Sequence, residues 1–341
     1  MRKSILILDW FLTHTRSGGI EKERIAQVLT QAAGILSIRL NAIAYNENLC
    51  LFHDCQGKSC ARHILACEEG AISVDLEARR LAFDPCLCDK CGSCVGVCPT
   101  GAVEMADMPR EIFKAVARLY AGLGVFVVEA DKLEFCEVTL PAGTAPFVVP
   151  NMKFIDLALL IVLLQESGSS AAFFGETPQY ARVANEIWRR VYGQNGVDES
   201  ENLRFVPKSR FSANCSINKR VDLINRLKFV IGEGDFGIVA ADGFGHLEVD
   251  EERCVLCMDC VQSCKSAALI ADNGALKVND SLCVVCGECE AVCSEKAITP
   301  KNSGIRLNKS WFETRVAVFA AQAANRRGIF QPTKGRGGRR D

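Results

Sequence analysis

The sequence lacks a strong excess of either charge, a long hydrophobic run and a recognisable export signal. Its 40 lysine and arginine residues balance 41 aspartate and glutamate residues, which leaves a net charge of −1, so no nucleic-acid partner is expected. The longest apolar stretch, 154–164, contains Asp156 and is too short to form a transmembrane segment. The N-terminal segment has neither a secretory nor a twin-arginine pattern. These absences predict a soluble, cytoplasmic protein that could associate with a membrane through a partner.

Cysteine is the residue that dominates the composition, with 19 in 341 residues. Small disulfide-stabilised scaffolds are also rich in cysteine, but their chains are far shorter. A chain of this length with 49% hydrophobic residues can bury real hydrophobic cores without a disulfide framework. The cysteines therefore indicate metal binding in a compartment where thiols stay reduced.

Two cysteine motifs with identical spacing lie toward the C-terminal end of the chain. Each reads C-x2-C-x2-C-x3-C, the first over 254–264 and the second over 283–293. Three cysteines two residues apart can wrap around three corners of one [4Fe-4S] cluster, while the fourth, at the start of the following helix, points to a neighbouring cluster. One cluster is assigned Cys254, Cys257, Cys260 and Cys293, and the other Cys283, Cys286, Cys289 and Cys264.

Zinc is the alternative for any group of four cysteines. Zinc ribbons use two separated C-x2-C pairs, whereas each of these motifs places four cysteines within one short segment. A [3Fe-4S] centre would require the second cysteine to be missing, and both motifs have it. The spacing favours [4Fe-4S] clusters, and Asn273-Gly274 predicts a hairpin between the two motifs.

A second, less regular pair of motifs occupies the N-terminal half. Four of its cysteines, followed by Pro99, complete the C-x2-C-x2-C-x3-C-P signature. Upstream, the four cysteines from Cys50 to Cys67 have wider gaps, but a hairpin pattern at 74–84 follows them as in the C-terminal copy. The same exchange of fourth ligands predicts two more clusters, for a total of four. Their ligands are Cys88, Cys91, Cys94 and Cys67 for one, and Cys50, Cys55, Cys60 and Cys98 for the other.

Other candidate ligands lie near these motifs. His53 and His63 fall inside the stretched motif and could replace a thiolate, which would raise the reduction potential of that cluster, but histidines in such places more often pack or solvate. Cys86 stands outside the repeat and is interpreted as a spare buried thiol. Cys136 and Cys215 are isolated and are interpreted as small core residues.

The remaining segments predict further structure around the motifs. Residues 109–225 alternate apolar strands and helices, which predicts a compact α/β layer domain with a parallel sheet. Within it, Thr177 and Pro178 are predicted to cap and begin a helix. Residues 1–45 predict a small β-α-β unit. Residues 309–341 predict a short amphipathic helix carrying Trp311, followed by a disordered basic tail.

The cysteine motifs at both ends of the chain resemble the bacterial two-[4Fe-4S] ferredoxins. This resemblance implies dicluster ferredoxin-like domains at 46–108 and 226–308 that flank the α/β domain, in a chain of mixed α+β and α/β class. The middle region, in which a VVP segment, an apolar helix and ESGSSAAFFGE follow one another, is loosely similar to the delta subunit of hydrogenase and heterodisulfide-reductase assemblies. The cysteines of that subunit are not reproduced here.

Because ferredoxins move single electrons, the resemblance implies a polyferredoxin-like adaptor that passes low-potential electrons between redox enzymes. Candidate partners are a formate dehydrogenase, a hydrogenase or a related oxidoreductase, and the chain itself would have no catalytic residue. The alternative is an iron-sulfur subunit of an oxidoreductase whose α/β domain binds a flavin or nucleotide, although no G-x-G-x-x-G follows a predicted strand. An iron-sulfur carrier or regulator would instead require labile, exposed clusters.

Overall fold

The computed structural model describes residues 23–25, 27–28, 43–51, 62–132, 140–175, 177–198 and 218–319. This part of the chain contains helices and several small sheets, so the mixed helix-and-sheet composition expected from the sequence is confirmed. Several predicted features lie outside the described residues: the first strand and loop of the 1–45 unit, His53, Cys55, Cys60, Cys136, Cys215 and the basic tail.

The N-terminal cysteine module, residues 43–51 and 62–108, is built from two antiparallel strand pairs and two short helices. Its elements are β1 (Ile43–Tyr45), α1 (Arg62–Ala66), β2 (Ile72–Asp75), β3 (Arg80–Phe83), α2 (Ser93–Val97) and β4 (Val103–Met105). Strand β1 pairs with β4, so the first and last strands of the module meet. Strands β2 and β3 form the hairpin predicted between the two motifs.

The central domain is a four-stranded sheet packed with helices. Its elements are α3 (Arg110–Leu119), β5 (Gly124–Glu129), β6 (Thr144–Val149), α4 (Leu157–Ser167), β7 (Ala171–Phe173), α5 (Ala181–Tyr192), β8 (Val197–Asp198) and α6 (Lys219–Ile231). The strand order is β6-β5-β7-β8 and all pairs are parallel, as predicted. Every residue of β5 is buried, which explains its continuous apolar run, since a parallel sheet is covered on both faces.

Two helices of this domain show what sets their boundaries. Helix α4 begins where the Asp156 side chain accepts a hydrogen bond from Leu159 N (2.9 Å), and it ends at Gly168 in the left-handed conformation (φ 63°). The predicted start of α5 is wrong. Thr177 and Pro178 lie before the turn at 179–180, and the helix begins only at Ala181.

The C-terminal cysteine module, residues 235–318, repeats the arrangement of the N-terminal one. Its elements are β9 (Asp235–Val239), β10 (Gly245–Val249), α7 (Asp259–Ser263), β11 (Leu269–Asp272), β12 (Ala275–Val278), α8 (Glu288–Val292), β13 (Ile298–Asn302), β14 (Ile305–Asn308) and β15 (Arg315–Val318). Strand β10 pairs with β13, and β11 with β12 across the predicted hairpin, where Asn273 (φ 49°) and Gly274 (φ 69°) are both left-handed.

The segment after Asn308 differs from its prediction. Instead of an amphipathic helix, residues Lys309–Phe312 form a single 3-10 turn, and β15 follows and pairs with β12. The side chain of Asn308 caps this turn by accepting a hydrogen bond from Trp311 N (3.1 Å). Trp311 and Phe312 are buried in the main core, so this segment packs against the rest of the protein.

Helix α6 connects the central domain to both cysteine modules. The boundary predicted at 225/226 falls inside this helix. One buried core includes residues of the N-terminal module, the sheet, α6, and Trp311 and Phe312, while a second core lies within the C-terminal module. No helix in the described ranges is long and apolar enough to cross a bilayer.

Candidate metal centres

Three of the four predicted cysteine sets come together, each around its own open recess. The recesses enclose about 400, 370 and 300 Å³, including space open to solvent. Each is lined by three cysteines of one motif and the fourth cysteine of the neighbouring motif. The sets, in the same order, are Cys254, Cys257, Cys260 and Cys293; Cys67, Cys88, Cys91 and Cys94; and Cys264, Cys283, Cys286 and Cys289.

The local fold explains the exchange of the fourth cysteine. In α2, α7 and α8 the third cysteine of a motif lies in the first helical turn, and a left-handed residue precedes each helix: Gly92, Met258 and Gly287. The fourth cysteine was predicted to start a helix, but it ends one. Cys98, for example, caps α2 with extended backbone angles (φ −71°, ψ 112°). The chain therefore leaves the helix at this residue, which brings the fourth cysteine to the other set.

The walls of the recesses are apolar, and backbone N–H groups contact some of the sulfurs. Ala71 N donates to Cys67 Sγ (3.3 Å), and Ala297 N donates to Cys293 Sγ (3.3 Å). The walls include Ile72 and Phe83 in the N-terminal module and Val249, Leu256, Leu276 and Ile298 in the C-terminal one. Hydrogen bonds to ligand sulfurs and an apolar surrounding are two of the means by which proteins tune an iron-sulfur centre.

Four thiols in these sets resist ionisation in the absence of a bound cation. Burial, and then the neighbouring cysteines, raise the pKa of Cys94 to about 12 and that of Cys260 to about 12. Burial also raises the pKa of Cys283 to about 11 and that of Cys289 still further. Ionised thiols at this spacing would repel one another, so holding them as thiolates requires a positively charged group at the centre of each set.

The fourth set is only partly within the described residues. Cys50 and Cys98 are both buried. The Cys98 sulfur lies 3.8 Å from Thr100 Oγ1, which donates to the carbonyl oxygen of Leu49 (2.7 Å), so the chain places Cys98 close to the turn that carries Cys50.

Cys98 differs electrostatically from the other buried thiols. Burial acts to raise its pKa, but the hydrogen bond with His63 and the positive charge of Lys219 outweigh burial and lower the pKa to about 6. His63 is 1% exposed, so it is not a solvated histidine; it contacts the sulfur of a candidate ligand. Cys86, in contrast, is exposed, and the interpretation of a buried spare thiol is wrong for this residue.

Lys219 and Arg220, the first two residues of α6, were missed by the sequence reasoning. Both are buried. The Lys219 ammonium donates to Val95 O (3.1 Å) and pairs with Asp156. The Arg220 guanidinium lies over the ring of Phe244, 3.8 Å from its centroid, and donates to Gly243 O. One signal was available, because two cations at a helix N-terminus oppose the helix dipole and so need a reason to be there.

Arg220 is also incompletely satisfied. Its Nη1 atom is buried and has no hydrogen-bond partner among the described residues. Burial lowers the pKa of Arg220 to about 10. A buried guanidinium of this kind is costly unless an anionic group lies nearby.

A separate cleft lies between the N-terminal module and the sheet. It encloses about 920 Å³, including its open mouth, and it is lined by residues that follow β6 and β7, among them Lys153 and Tyr180, and by Ala66 and Ser93 of the module. The carboxyl ends of parallel strands are where open α/β sheets commonly bind ligands. Because Ala66 and Ser93 line it, the cleft adjoins the segments that carry Cys67 and Cys94.

Within the described ranges, no group of three or more histidine, cysteine, aspartate or glutamate side chains is arranged so that it could hold a metal ion; the four thiols of each of the three complete sets line an open recess. No protein-family model and no curated protein matches this chain.

Proposed function

We propose that this chain is an iron-sulfur electron-transfer protein, a polyferredoxin-like adaptor that passes low-potential electrons between redox enzymes. The observation that carries the proposal is the composition of the three recesses. In each, three cysteines of one motif meet the fourth of its neighbour, which is the ligand exchange expected of two adjacent [4Fe-4S] clusters.

The chemistry of the donors supports this assignment over zinc. Each recess takes three sulfur donors from one motif and the fourth from the neighbouring motif, whereas a zinc ribbon takes two donors from each of two C-x2-C pairs. The unpartnered Nη1 of Arg220 also fits, because Cys283 lies near this cation and a cluster held by four thiolates would carry net negative charge there.

The roles of the residues follow from their positions. The cysteines hold the clusters, which when bound accept and donate single electrons. The apolar walls keep water from the sulfurs, and N–H groups such as that of Ala71 partly neutralise them. Cys257 is exposed, which suits a site that exchanges electrons with a partner protein. We propose a formate dehydrogenase, a hydrogenase or a related oxidoreductase as that partner, in the cytoplasm.

The cleft beside Ser93 favours a second candidate function, an oxidoreductase subunit whose α/β domain binds a flavin or nucleotide. It lies at the carboxyl edge of the sheet and next to a cysteine set. A G-x-G-x-x-G run exists at 232–237, but it follows α6 and leads into β9, the reverse of the strand-to-helix order that binds dinucleotides. A bound flavin would give visible absorption that survives removal of iron.

Anaerobic iron and sulfide analysis, combined with EPR of the reduced protein, tests the main proposal. Four clusters correspond to about sixteen irons per chain, with sulfide in equal amount, and the three complete sets alone to about twelve. Stoichiometric zinc without acid-labile sulfide would refute the proposal.

A further inference from the structure

The fourth cysteine of each motif, which joins the neighbouring set, is followed by the same turn in all three complete sets. The backbone N–H three residues later donates to the carbonyl oxygen of this cysteine, from Gly70 to Cys67 (3.2 Å), from Ala267 to Cys264 (3.2 Å) and from Lys296 to Cys293 (3.1 Å). The donor residue is left-handed each time, with φ of 65°, 57° and 50°. Because the turns are alike, the residues at each position within them can be compared directly.

One position of this turn differs between the two adjacent sites of the C-terminal module. The residue two positions after the fourth cysteine is Ser266 after Cys264 and Glu295 after Cys293. Ser266 is 5% exposed, whereas Glu295 is exposed. A buried hydroxyl group in one turn therefore corresponds to a carboxylate at the surface in the other.

Ser266 contacts the sulfur of a candidate ligand. Its Oγ atom lies 3.6 Å from Cys264 Sγ. A cysteine that holds a cluster has no thiol proton, so the serine hydroxyl is the donor in this contact. A hydrogen bond to a ligand sulfur stabilises negative charge there, and the reduced state of a cluster carries one more negative charge than the oxidised state. The contact therefore raises the reduction potential of the site to which Cys264 contributes.

Glu295 has the opposite effect on the neighbouring site. It lines the recess that contains Cys257 and Cys293, and the other lining residues apart from the cysteines are apolar. A carboxylate at this place opposes the addition of negative charge to the site, so it lowers the reduction potential. The carboxyl group of Glu288 lines the other recess, but it is the same in every protein compared below, so its contribution cancels.

We propose that Ser266 and Glu295 bias electron transfer between the two adjacent C-terminal sites, toward the site that contains Cys283. The inference rests on the proposed function. One residue raises the potential of the accepting site and the other lowers that of the donating site, so both favour the same direction. A reduced one-electron carrier supplies the electron. The site of Cys257 is oxidised as it passes the electron on, the site of Cys283 is reduced, and no bond forms or breaks.

The burial of the cysteines gives this direction a meaning in the fold. Cys257 is exposed, whereas Cys283 and Cys289 are buried. The bias therefore draws an electron from the site that is open to solvent into the deeper site of the module.

A reductive titration of the anaerobically purified full chain, monitored by EPR, tests the two contributions. Ser266→Ala should lower the midpoint of one centre, Glu295→Gln should raise the midpoint of a different centre, and the double variant should show both shifts. Unchanged midpoints, shifts of the opposite sign, or two shifts in one centre would overturn the inference when the iron content is that of the wild type. A wild-type chain without iron and acid-labile sulfide would instead overturn the proposed function.

Ionic strength distinguishes the two residues, because salt screens exposed charges but has little effect on a buried hydrogen bond. The Glu295→Gln shift should shrink when NaCl is raised from about 0.01 M to about 1 M. The Ser266→Ala shift should persist over the same range. Loss of the Ser266→Ala shift at high salt would contradict the assigned hydrogen bond.

The matched control is Ser263→Ala in the same module. The Ser263 hydroxyl donates to the carbonyl oxygen of Cys260 (3.1 Å) and not to a sulfur, so its removal should leave every midpoint unchanged. Ser266→Thr keeps the hydroxyl group and should retain most of the wild-type potential. Threonine fits this position of the turn, since Thr100 Oγ1 lies 3.8 Å from Cys98 Sγ. An equal shift in Ser263→Ala and Ser266→Ala would contradict the role of Ser266.

Discussion

The substitution Arg226→Met tests the ionic network that attaches α6 to the rest of the protein. The Arg226 side chain is fully buried and its guanidinium contacts Asp222 (3.2 Å) on its own helix and Glu166 (3.1 Å) at the end of α4. It also donates to Gln165 Oε1 (2.9 Å). Asp222 and Glu166 are almost completely buried as well, so neither carboxylate can turn to water for compensation.

The expected loss of stability follows from the burial of these three charged side chains. Removing one partner of a buried ion pair leaves the other charge uncompensated and costs about 3–5 kcal/mol. A second arginine, Arg118, contacts the other oxygen of Glu166 at 2.8 Å but is 49% exposed. An exposed pair of this kind contributes less than about 1 kcal/mol. Both arginines contact the Glu166 carboxylate, so Arg118→Met is a matched control. The two variants differ mainly in how deeply the removed charge is buried.

Thermal unfolding of the anaerobically purified protein, followed by circular dichroism, measures the difference. The midpoint of Arg226→Met should fall by on the order of 10 °C and that of Arg118→Met by less than about 4 °C. Adding Glu166→Gln and Asp222→Asn to Arg226→Met should recover part of the loss, because no unpaired buried charge then remains in the network. Equal shifts for the two arginine variants would refute the reasoning from burial.

Three further outcomes test the candidate sites and the core. Cys264→Ala should lower the iron content by about four atoms per chain through loss of the cluster in the neighbouring motif, while the exposed Cys86→Ala should leave it unchanged. His63→Phe, which removes the hydrogen bond to the Cys98 sulfur, should lower the potential of that one centre in an EPR-monitored titration; unchanged potentials would show that the contact has no electronic role. Burial raises the pKa of Tyr120 above its ordinary value of 10.0. The protonated Tyr120 side chain therefore contributes stability to the fold below about pH 10, and this contribution is lost as the pH rises toward the raised pKa. A Tyr120→Phe variant should lack this alkaline loss in urea unfolding.

Features encoded in short stretches of sequence were predictable. The hairpin at Asn273-Gly274 was predicted because a two-residue turn with two left-handed residues suits few other sequences. Strand β5 was predicted because a continuous apolar run is typical of a buried parallel strand. Three of the four cysteine sets were predictable from spacing, since the spacing itself determines how a loop can surround a cluster.

Features that depend on distant contacts were not predictable. The segment that carries Val316 reads as an amphipathic helix by itself, but it forms β15 because the exposed edge of β12 is available to pair with it. Thr177 and Pro178 fit a helix start equally well by residue type, yet the helix begins three residues after Pro178. Lys219 and Arg220 belong to no motif, and their importance becomes visible only when Cys98 and Gly243 are seen on either side of α6.

The position of α6 also changes the role of the central domain. Chain order places this domain between two cysteine modules, which suggests a spacer that keeps the two modules apart. The hydrogen bond from Arg62 to Val284 spans 222 residues of sequence, and it exists because the central domain folds the chain back on itself. Lys219 contacts Val95 and Asp156, and the next residue, Arg220, contacts Gly243 and Phe244. The central domain therefore holds the two cysteine modules against each other through α6.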